Sequence, residues 1–391
     1  MTHFCEFLQS ELISIKEASL YRKLRFLEGE QSPIVVIDGK EVILLCSNNY
    51  LGLANHPGLK KLVKEAVDKY GCSAGSSRLI SGNMDLHERL EQQVARFKGA
   101  KASLVFNTGY MANLGIIQAL AQREDVIFSD ELNHASIIDG CRLSKAKVMV
   151  FPHKDLNFLE ECLKESFRFK RRLIVTESVF SMDGDIAPLP QIVELARKYG
   201  AIVMLDEAHA TGVIGKEGRG AMEYFGLEND VDVVVGTFGK ALGSFGAYVC
   251  GSLTLREYLI NTCRSFIFTT ALPPAALASS IAAIQLVEGE PKFREKLWYN
   301  VRYLRKELKQ LGFHLSGQTQ IIPLIIGDEA LTMGMTDLLL KEGVFVQGIR
   351  TPTVPRGASR LRITVTSAHT KNNLDEALKA FARVGKKLNI I

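Results

Sequence analysis

The seven cysteines include no C-x-x-C pair, the spacing typical of many metal and redox sites. That absence argues against a zinc ribbon or a redox dithiol, so we expect no bound metal. An odd number of scattered cysteines and the polar opening MTHFCEFLQSELISIKE argue against disulfides and secretion. No stretch of 18 apolar residues lacks charge, which predicts no membrane-spanning helix. We therefore expect a cytoplasmic protein.

Two nucleotide-binding motifs are also missing. The segment LDEAHATG at 205–212 contains the D-E-A-H sequence of ATP-hydrolysing helicases, but no G-x-x-x-x-G-K-[ST] phosphate loop accompanies it. No G-x-G-x-x-G opens a helix after a predicted strand, which argues against a nicotinamide-dependent dehydrogenase. The net charge of +5, from 48 basic and 43 acidic residues, favours no polyanionic partner. We expect neither nucleic acid nor a membrane as partner.

The 391 residues are enough for two closely joined domains. Between about 98 and 252, short apolar runs alternate with segments of helical period, which is typical of parallel strands joined by crossover helices. The predicted strands are 102–107, 125–130, 147–152, 172–180, 201–207, 231–236 and 247–251. Further predicted strands lie at 320–327, 344–350 and 360–366. We predict an α/β fold: a helix and hairpin at 1–45, a large domain with a mainly parallel seven-stranded sheet at 46–287, and a smaller α/β domain at 288–391.

Polar clusters follow five of the predicted strands of the large domain. They lie at 107–110, 133–134, 178–183, 206–209 and 237–240. Ligands of open parallel sheets bind at the carboxyl ends of the strands, where the connecting loops meet. The five clusters therefore predict one site at that edge of the sheet.

Three residues of these clusters point to pyridoxal phosphate as a cofactor. Lys240 lies in TFGKALGSFGAY, between a strand-like run and a glycine-rich stretch that cannot hold a regular helix. An isolated lysine of this kind is commonly a solvated surface residue. Here, however, Asp206 ends a strand and His209 follows three residues later. Pyridoxal phosphate needs a lysine amine for its aldehyde, a buried carboxylate for its protonated ring nitrogen, and a helix start, such as 108–110, for its phosphate.

Nine ordered segments between about 46 and 388 carry a resemblance to a known family. They are SNNYLGLANHP, GCSAGSSRLISGN, NTGYMAN, DELNHASIIDG, ESVFSMDGDIAPL, LDEAHATGVIG, TFGKALG, FIFTTALPP and GIRTPTVPRGASRLRITVTSAH. These segments closely resemble the α-oxoamine synthases, which are fold-type I pyridoxal phosphate enzymes that join an amino acid to an acyl thioester with loss of carbon dioxide. The resemblance implies a homodimer whose subunits share their active sites.

The resemblance also implies roles for residues around the cofactor. Lys240 binds the cofactor covalently and acts as a general base, and Asp206 pairs with the ring nitrogen. His209 bonds the phenolic oxygen, while His134 stacks on the ring beside the substrate. Further cofactor contacts fall on Gly109, Tyr110, Ser181, Thr237 and, from the second subunit, Thr270.

Four positions match substrate contacts in the family. Asn48 and Arg362 match residues that hold the amino-acid carboxylate, which suits the planar, two-pronged guanidinium of arginine. Arg22 and Thr353 match residues that touch the acyl substrate. Within the family, the chain most resembles the member that condenses L-alanine with a pimeloyl thioester, carried by an acyl carrier protein or by coenzyme A.

Two alternatives stay open. SNNYLGLANHP and HASIIDGCRLSKAK also resemble the family member that uses glycine and an acetyl thioester, although IRTPTVPRG with its small Thr353 favours the first assignment. A pyridoxal phosphate-binding module that regulates without turnover would keep Lys240 and Asp206. Such a module would not need Arg362, Asn48 and the acyl-facing loop together.

Overall fold

The computed structural model describes residues 3–18 and 20–391, and its strands form three sheets. In chain order the strands are β1 (Leu27–Glu28), β2 (Ile34–Ile37), β3 (Lys40–Leu44), β4 (Ala102–Phe106), β5 (Val126–Asp130), β6 (Lys147–Phe151), β7 (Arg172–Glu177), β8 (Ile202–Asp206), β9 (Val233–Thr237), β10 (Ala247–Gly251), β11 (Ile321–Gly327), β12 (Val344–Phe345), β13 (Gln347–Ile349) and β14 (Ser359–Thr364). Seven strands form the large sheet, four form a second sheet and three form a third.

Helices cover these sheets. In chain order they are α1 (His3–Glu17), α2 (Pro57–Tyr70), α3 (Asp85–Lys98), α4 (Gly109–Leu120), α5 (Ala135–Ser144), α6 (Leu156–Lys164), α7 (Leu189–Tyr199), α8 (Ala221–Phe225), α9 (Leu253–Thr262), α10 (Arg264–Ile267), α11 (Pro274–Gly289), α12 (Lys292–Gln310), α13 (Glu329–Lys341) and α14 (Lys371–Lys387). Gly99 ends α3 and Gly200 ends α7, and both adopt the left-handed conformation that glycine tolerates at a helix end. Among the described helices, none has the length and apolar character needed to span a bilayer.

The large sheet has the strand order β4-β10-β9-β8-β7-β5-β6. Strand β10 runs antiparallel to both of its neighbours, while the ladders from β9 through β6 are parallel. Every residue of β4 and β5 is buried, because helices cover both faces of the sheet. The predicted seven-stranded, mainly parallel sheet is therefore confirmed.

Two predicted strands have different limits in the structure. The strand predicted at 172–180 ends at Glu177: Ser178 makes the last ladder bond, to the Asp206 carbonyl, and Val179 forms only an isolated bridge to Ile186. The run 344–350 divides between two sheets: β12 pairs with β3, and β13 pairs with β14. A continuous apolar segment specifies burial but does not specify its pairing partner, so this division was not visible in the sequence.

The N-terminal hairpin of β2 and β3 joins the C-terminal part of the chain. Strand β3 pairs in parallel with β12, so residues before 45 contribute to a sheet completed near residue 345. One continuous hydrophobic cluster contains Leu205 of the large sheet, Leu297 of α12 and Leu361 of β14. This shared core fixes the C-terminal sheet against the large sheet. The predicted domain boundaries at 45 and 287 stay a prediction.

Candidate active site

The carboxyl ends of β7, β8 and β9 bring the main polar residues together. Glu177 ends β7 and is the register partner of Asp206, which ends β8. Lys240 follows three residues after the end of β9. Because the three strands are parallel neighbours, all three side chains emerge at one edge of the sheet, where the clusters at 206–209 and 237–240 also lie.

A short turn holds Lys240 at this edge. Gly243 adopts a left-handed φ of 60°, and a Cβ at this position would collide with the backbone of Leu53 and Ala54. Only glycine accommodates both the conformation and the close approach. The glycine-rich stretch that the sequence singled out is therefore packed directly against the segment that follows Asn48.

Lys240 contacts a buried histidine. Its Nζ lies 2.8 Å from His209 Nε2, and His209 Nδ1 lies 2.8 Å from the hydroxyl of Tyr50. The Gln320 side chain donates to the His209 carbonyl at 2.7 Å, which anchors the backbone of the turn. The imidazole is thus held at both ring nitrogens.

Burial shifts the pKa values of both Lys240 and His209. Burial lowers the pKa of Lys240 to about 8, although Asp206 and Glu177 favour its charged form. Burial, followed by the positive charge of Lys240, holds the pKa of His209 well below its ordinary value. Near neutral pH the imidazole is uncharged, and the lysine loses its proton far more readily than a solvated lysine.

The Asp206 carboxylate is buried and accepts hydrogen bonds from neutral groups. Asn113 Nδ2 donates to its Oδ2 at 2.7 Å, and the Ala208 backbone donates to its Oδ1 at 2.8 Å. A buried carboxylate whose two hydrogen-bond donors are neutral favours a further cationic partner, because burial penalises an uncompensated charge. A protonated ring nitrogen supplies such a partner.

Glu177 is a residue of this site that the sequence analysis missed. The His134 backbone donates to its Oε1 at 2.6 Å. Burial, followed by the charge of Asp206, raises the pKa of Glu177 to about 8. The available signal was its place directly before the polar cluster at 178–183, and the predicted strand at 172–180 hid that the strand ends at Glu177.

His134 caps helix α5 at the same edge. Its Nδ1 accepts a hydrogen bond from the Ser136 backbone at 3.2 Å and lies 2.8 Å from the Ser136 hydroxyl. Burial lowers its pKa, so the ring is neutral near pH 7. A neutral, flat imidazole fixed by a helix cap suits a stacking role.

Helix α4 begins at this edge, as predicted. Thr108 caps it by accepting from the Met111 backbone at 3.1 Å, and a Cβ at Gly109 would meet no atom within 4 Å. The Tyr110 hydroxyl donates to Asp139, and that carboxylate raises the pKa of the phenol. The open helix start offers backbone N–H groups and a positive dipole end to an anion.

Thr237 ends β9 beside Lys240. Its hydroxyl donates to the Gly246 carbonyl at 2.9 Å and accepts from the Gly239 backbone at 3.1 Å. These bonds fix the hydroxyl within the turn that carries Lys240. They also use its proton, so a phosphate contact requires the hydroxyl to rotate.

Arg362 lies on β14 and connects the C-terminal sheet to the site. Its Nη1 donates to Asn48 Oδ1 at 3.2 Å, and its Nε donates to the Ser181 carbonyl at 2.6 Å. The side chain is buried, with only 7% of its surface exposed. The structure therefore brings together Arg362, Asn48 and Ser181, which lie far apart in the sequence.

Three predicted contact residues lie at the surface of this chain. Arg22, Thr270 and Thr353 are all exposed. In the described part of the chain, their side chains form no hydrogen bond with the groups around Lys240; the Thr270 carbonyl accepts from Asn107 Nδ2 at 2.8 Å. Their predicted roles require a second subunit or a bound acyl substrate.

The residues at this edge fit pyridoxal phosphate. Lys240 supplies an amine with a lowered pKa, and Asp206 supplies a buried carboxylate that accepts from the neutral Asn113 amide and Ala208 backbone. Gly109 opens a helix onto free space. An aldehyde, a protonated ring nitrogen and a phosphate each find a chemically matched group.

Comparisons with known proteins agree with this fit. The family model for aminotransferase class I and II matches residues 40–381. An 8-amino-7-oxononanoate synthase of Geobacter sulfurreducens is 53% identical, covering 98% of this chain and 99% of the relative. A serine palmitoyltransferase from S. paucimobilis, solved with a PLP–myriocin aldimine, is 35% identical with a TM-score of 0.94 and full coverage of both chains. An 8-amino-7-oxononanoate synthase from Francisella tularensis is 30% identical with a TM-score of 0.77, covering 90% of this chain and 99% of that one.

Together the fold and the site define a fold-type I enzyme whose cofactor is pyridoxal phosphate. The chain belongs to the aminotransferase class I and II family, and within it to the α-oxoamine synthases, which are acyltransferases. The resemblance drawn from the nine sequence segments is confirmed.

The lowered pKa of Lys240 predicts the pH dependence of cofactor attachment. Only the neutral amine attacks an aldehyde, and its fraction rises about tenfold per pH unit below the pKa. We expect the rate at which cofactor-free protein takes up pyridoxal phosphate covalently to rise with pH and level off above about 8. Stopped-flow absorbance measures this rate. A rate still rising towards pH 10.5, the ordinary lysine value, would contradict the prediction.

Proposed function

We propose that the enzyme catalyses the decarboxylative condensation of L-alanine with a pimeloyl thioester to give 8-amino-7-oxononanoate, a step of biotin biosynthesis. Full-length relatives that carry this name, 52–53% identical to the chain, support the proposal. The observation that carries it is the pair formed by buried Arg362 and half-buried Asn48, which is joined through Tyr50 to His209 and Lys240. This arrangement offers a carboxylate site beside a base.

Each residue of the site has a chemical task in this reaction. When bound, pyridoxal phosphate supplies an electron sink for negative charge at the amino-acid Cα. Arg362 and Asn48 hold the alanine carboxylate, and Lys240 removes the Cα proton as a general base. Asp206 keeps a proton on the ring nitrogen, and His209 donates to the phenolic oxygen.

The condensation balances without any further reactant. The alanine Cα forms a bond to the acyl carbonyl carbon, and the thiol leaves. The carboxyl group then leaves as carbon dioxide, and a proton returns to Cα. Lys240, with a pKa of about 8, exchanges protons efficiently near neutral pH because about a tenth of its amine is neutral at pH 7, far more than for a solvated lysine. Arg22 and Thr353 contact the acyl chain in this proposal, and the carrier is an acyl carrier protein or coenzyme A.

The proposal includes a cytoplasmic homodimer with shared active sites. Helix α1 has no buried residue, and it exposes Phe4, Phe7, Leu12 and Ile13. An apolar helix face of this size favours a protein partner, and a second copy of the chain supplies one. The exposed Thr270 then contacts the phosphate of the partner's cofactor.

A hybrid dimer tests the sharing of sites. In a dimer of one Lys240→Ala and one Thr270→Ala subunit, one site keeps both residues and the other loses both. We expect the purified hybrid to be more active than either parent variant. Hybrid activity no greater than the mean of the two parents would show that Lys240 and Thr270 act within one subunit.

Substrate pairs test the reaction itself. We expect purified holoenzyme to release thiol and form 8-amino-7-oxononanoate, identified by mass, with L-alanine and pimeloyl coenzyme A or its carrier-protein ester. Activity only with glycine and acetyl coenzyme A would establish the alternative, 2-amino-3-ketobutyrate coenzyme A ligase. Activity only with L-serine and palmitoyl coenzyme A would match the solved structural relative. No turnover with any pair would favour a non-catalytic cofactor-binding module.

A further inference from the structure

We propose that Tyr50 is a positioning residue whose hydroxyl determines which ring nitrogen of His209 carries the hydrogen, and that it links this choice to the carboxylate site at Arg362 and Asn48. The inference rests on the proposed function for the identity of that carboxylate site. The link between Tyr50 and the His209 tautomer depends on this chain's residues alone.

Tyr50 is fixed where three polar side chains meet. It is fully buried, and its hydroxyl lies 2.8 Å from His209 Nδ1, 3.1 Å from Asn48 Oδ1 and 3.4 Å from Arg362 Nη2. Its backbone donates to the Asn48 carbonyl and accepts from Ser367, both at 2.8 Å. The phenol therefore has no room to turn away, and only its hydroxyl hydrogen can change direction.

That single hydrogen has two acceptors, and the choice between them creates two arrangements. In the first, Tyr50 donates to Asn48, so His209 Nδ1 carries a hydrogen and donates to the phenol oxygen. In the second, Tyr50 donates to His209 Nδ1, so the hydrogen of the neutral imidazole lies on Nε2.

The two arrangements match the two charge states of Lys240. A bare Nε2 accepts from the lysine ammonium at 2.8 Å, whereas an Nε2–H requires a neutral amine as its acceptor. The charged and titratable groups that act on this pair are Asp206, Glu177, Arg362, His134 and Tyr50. Asp206 and Glu177 favour the ammonium, and Arg362 opposes it. The second arrangement therefore becomes available only as the pH rises through the pKa of Lys240, about 8, because the neutral amine accepts from Nε2–H and the ammonium does not.

The second arrangement is the one that catalysis needs. An Nε2–H on His209 donates to a phenolic oxygen of the cofactor, whereas a bare Nε2 repels it. In the first arrangement Tyr50 donates to Asn48. An amino-acid carboxylate held by Arg362 and Asn48 engages the same residues that stabilise this arrangement. Amino-acid binding therefore favours the donor form of His209, and Tyr50 transmits the effect.

Nitrogen NMR of cofactor-free protein with labelled histidine tests the tautomer directly. We expect the His209 hydrogen to move from Nδ1 to Nε2 as the pH rises through about 8, without an imidazolium signal. In Tyr50→Phe, Nδ1–H loses its acceptor, so we expect Nε2–H at every pH and a Lys240 pKa below that of wild type. If Tyr50→Phe showed the same tautomer change as the wild type, the proposal would be overturned.

Tyr248→Phe is the matched control. Tyr248 is also fully buried, and its hydroxyl lies 2.8 Å from Thr211 instead of His209. This variant loses a buried hydroxyl of the same kind, so we expect it to keep the wild-type tautomer change. If both variants lose the change, the effect comes from loosened packing and the proposal fails.

Steady-state kinetics of the holoenzyme test the link to the carboxylate site. Because Tyr50→Phe holds His209 in the donor form that amino-acid binding favours, we expect this variant to lower KM for alanine by up to about tenfold, while KM for the acyl thioester stays within about twofold. Equal changes in both KM values would overturn the link. The NMR result does not depend on the substrate pair, so a failed substrate assignment leaves the tautomer test intact.

Discussion

We expect the Lys240→Ala variant to lose covalently attached cofactor and about 10³-fold or more of its condensation activity, because it lacks both the amine and the general base. Lys240 is the lysine that contacts His209 at this edge of the sheet, and burial gives its amine a pKa of about 8. Borohydride reduction followed by mass spectrometry measures the attached cofactor. Thiol release from the acyl substrate measures turnover.

Lys101→Ala is a matched control for this variant. Lys101 is exposed and directly precedes β4, at the opposite edge of the large sheet. We expect this variant to keep full cofactor attachment and activity. Lys240→Arg adds a second comparison, because it keeps a positive charge without a nucleophilic amine. Covalent attachment in Lys240→Ala would show that another lysine holds the cofactor.

Much of this site was predictable because parallel sheets place their ligands at one edge. The polar clusters ending with His209 and Lys240 follow β8 and β9, which are neighbours in the sheet. Strand burial is a local property, so short apolar runs marked all seven strands of the large sheet. A site built from strand ends is thus visible in the sequence without knowing which strands pair.

Pairing itself was not visible. The register that places Glu177 beside Asp206 depends on how β7 and β8 align, and an isolated segment does not specify that alignment. Tyr50 was missed for a similar reason. It appears in SNNYLGLANHP as one more apolar residue, and only the three-dimensional structure brings its hydroxyl to His209 and Arg362.

Some predicted contacts depend on molecules outside the single chain. Thr270 and Arg22 are exposed, and neither side chain reaches Lys240 within its own subunit. Their roles come from the family resemblance and from the proposed dimer. A surface residue contacts the cofactor or substrate in this way only when a partner covers it. Neither the composition nor the residue spacing of the sequence shows which surface a partner covers.

The second large effect is expected for Asp206→Asn. This change removes the negative charge that keeps a proton on the cofactor ring nitrogen and so weakens the electron sink. We expect the exchange of the alanine Cα hydrogen with solvent to slow about 10²- to 10³-fold, because preorganised charge stabilisation is worth that much in other enzymes. NMR in deuterated water, without any acyl thioester, measures this step alone.

The fold should tolerate this substitution because of Asn113. Its Nδ2 now donates to Asp206, while its Oδ1 is buried without a hydrogen-bond partner among the described residues. A flip of the Asn113 amide presents that oxygen to the new side-chain NH₂ and restores the hydrogen bond. Asp232→Asn is the matched control, since Asp232 bonds the Val203 backbone at the opposite ends of the strands. We expect the control to exchange the alanine hydrogen at the wild-type rate, and equal slowing in both variants would mean that the Asp206 charge has no specific role.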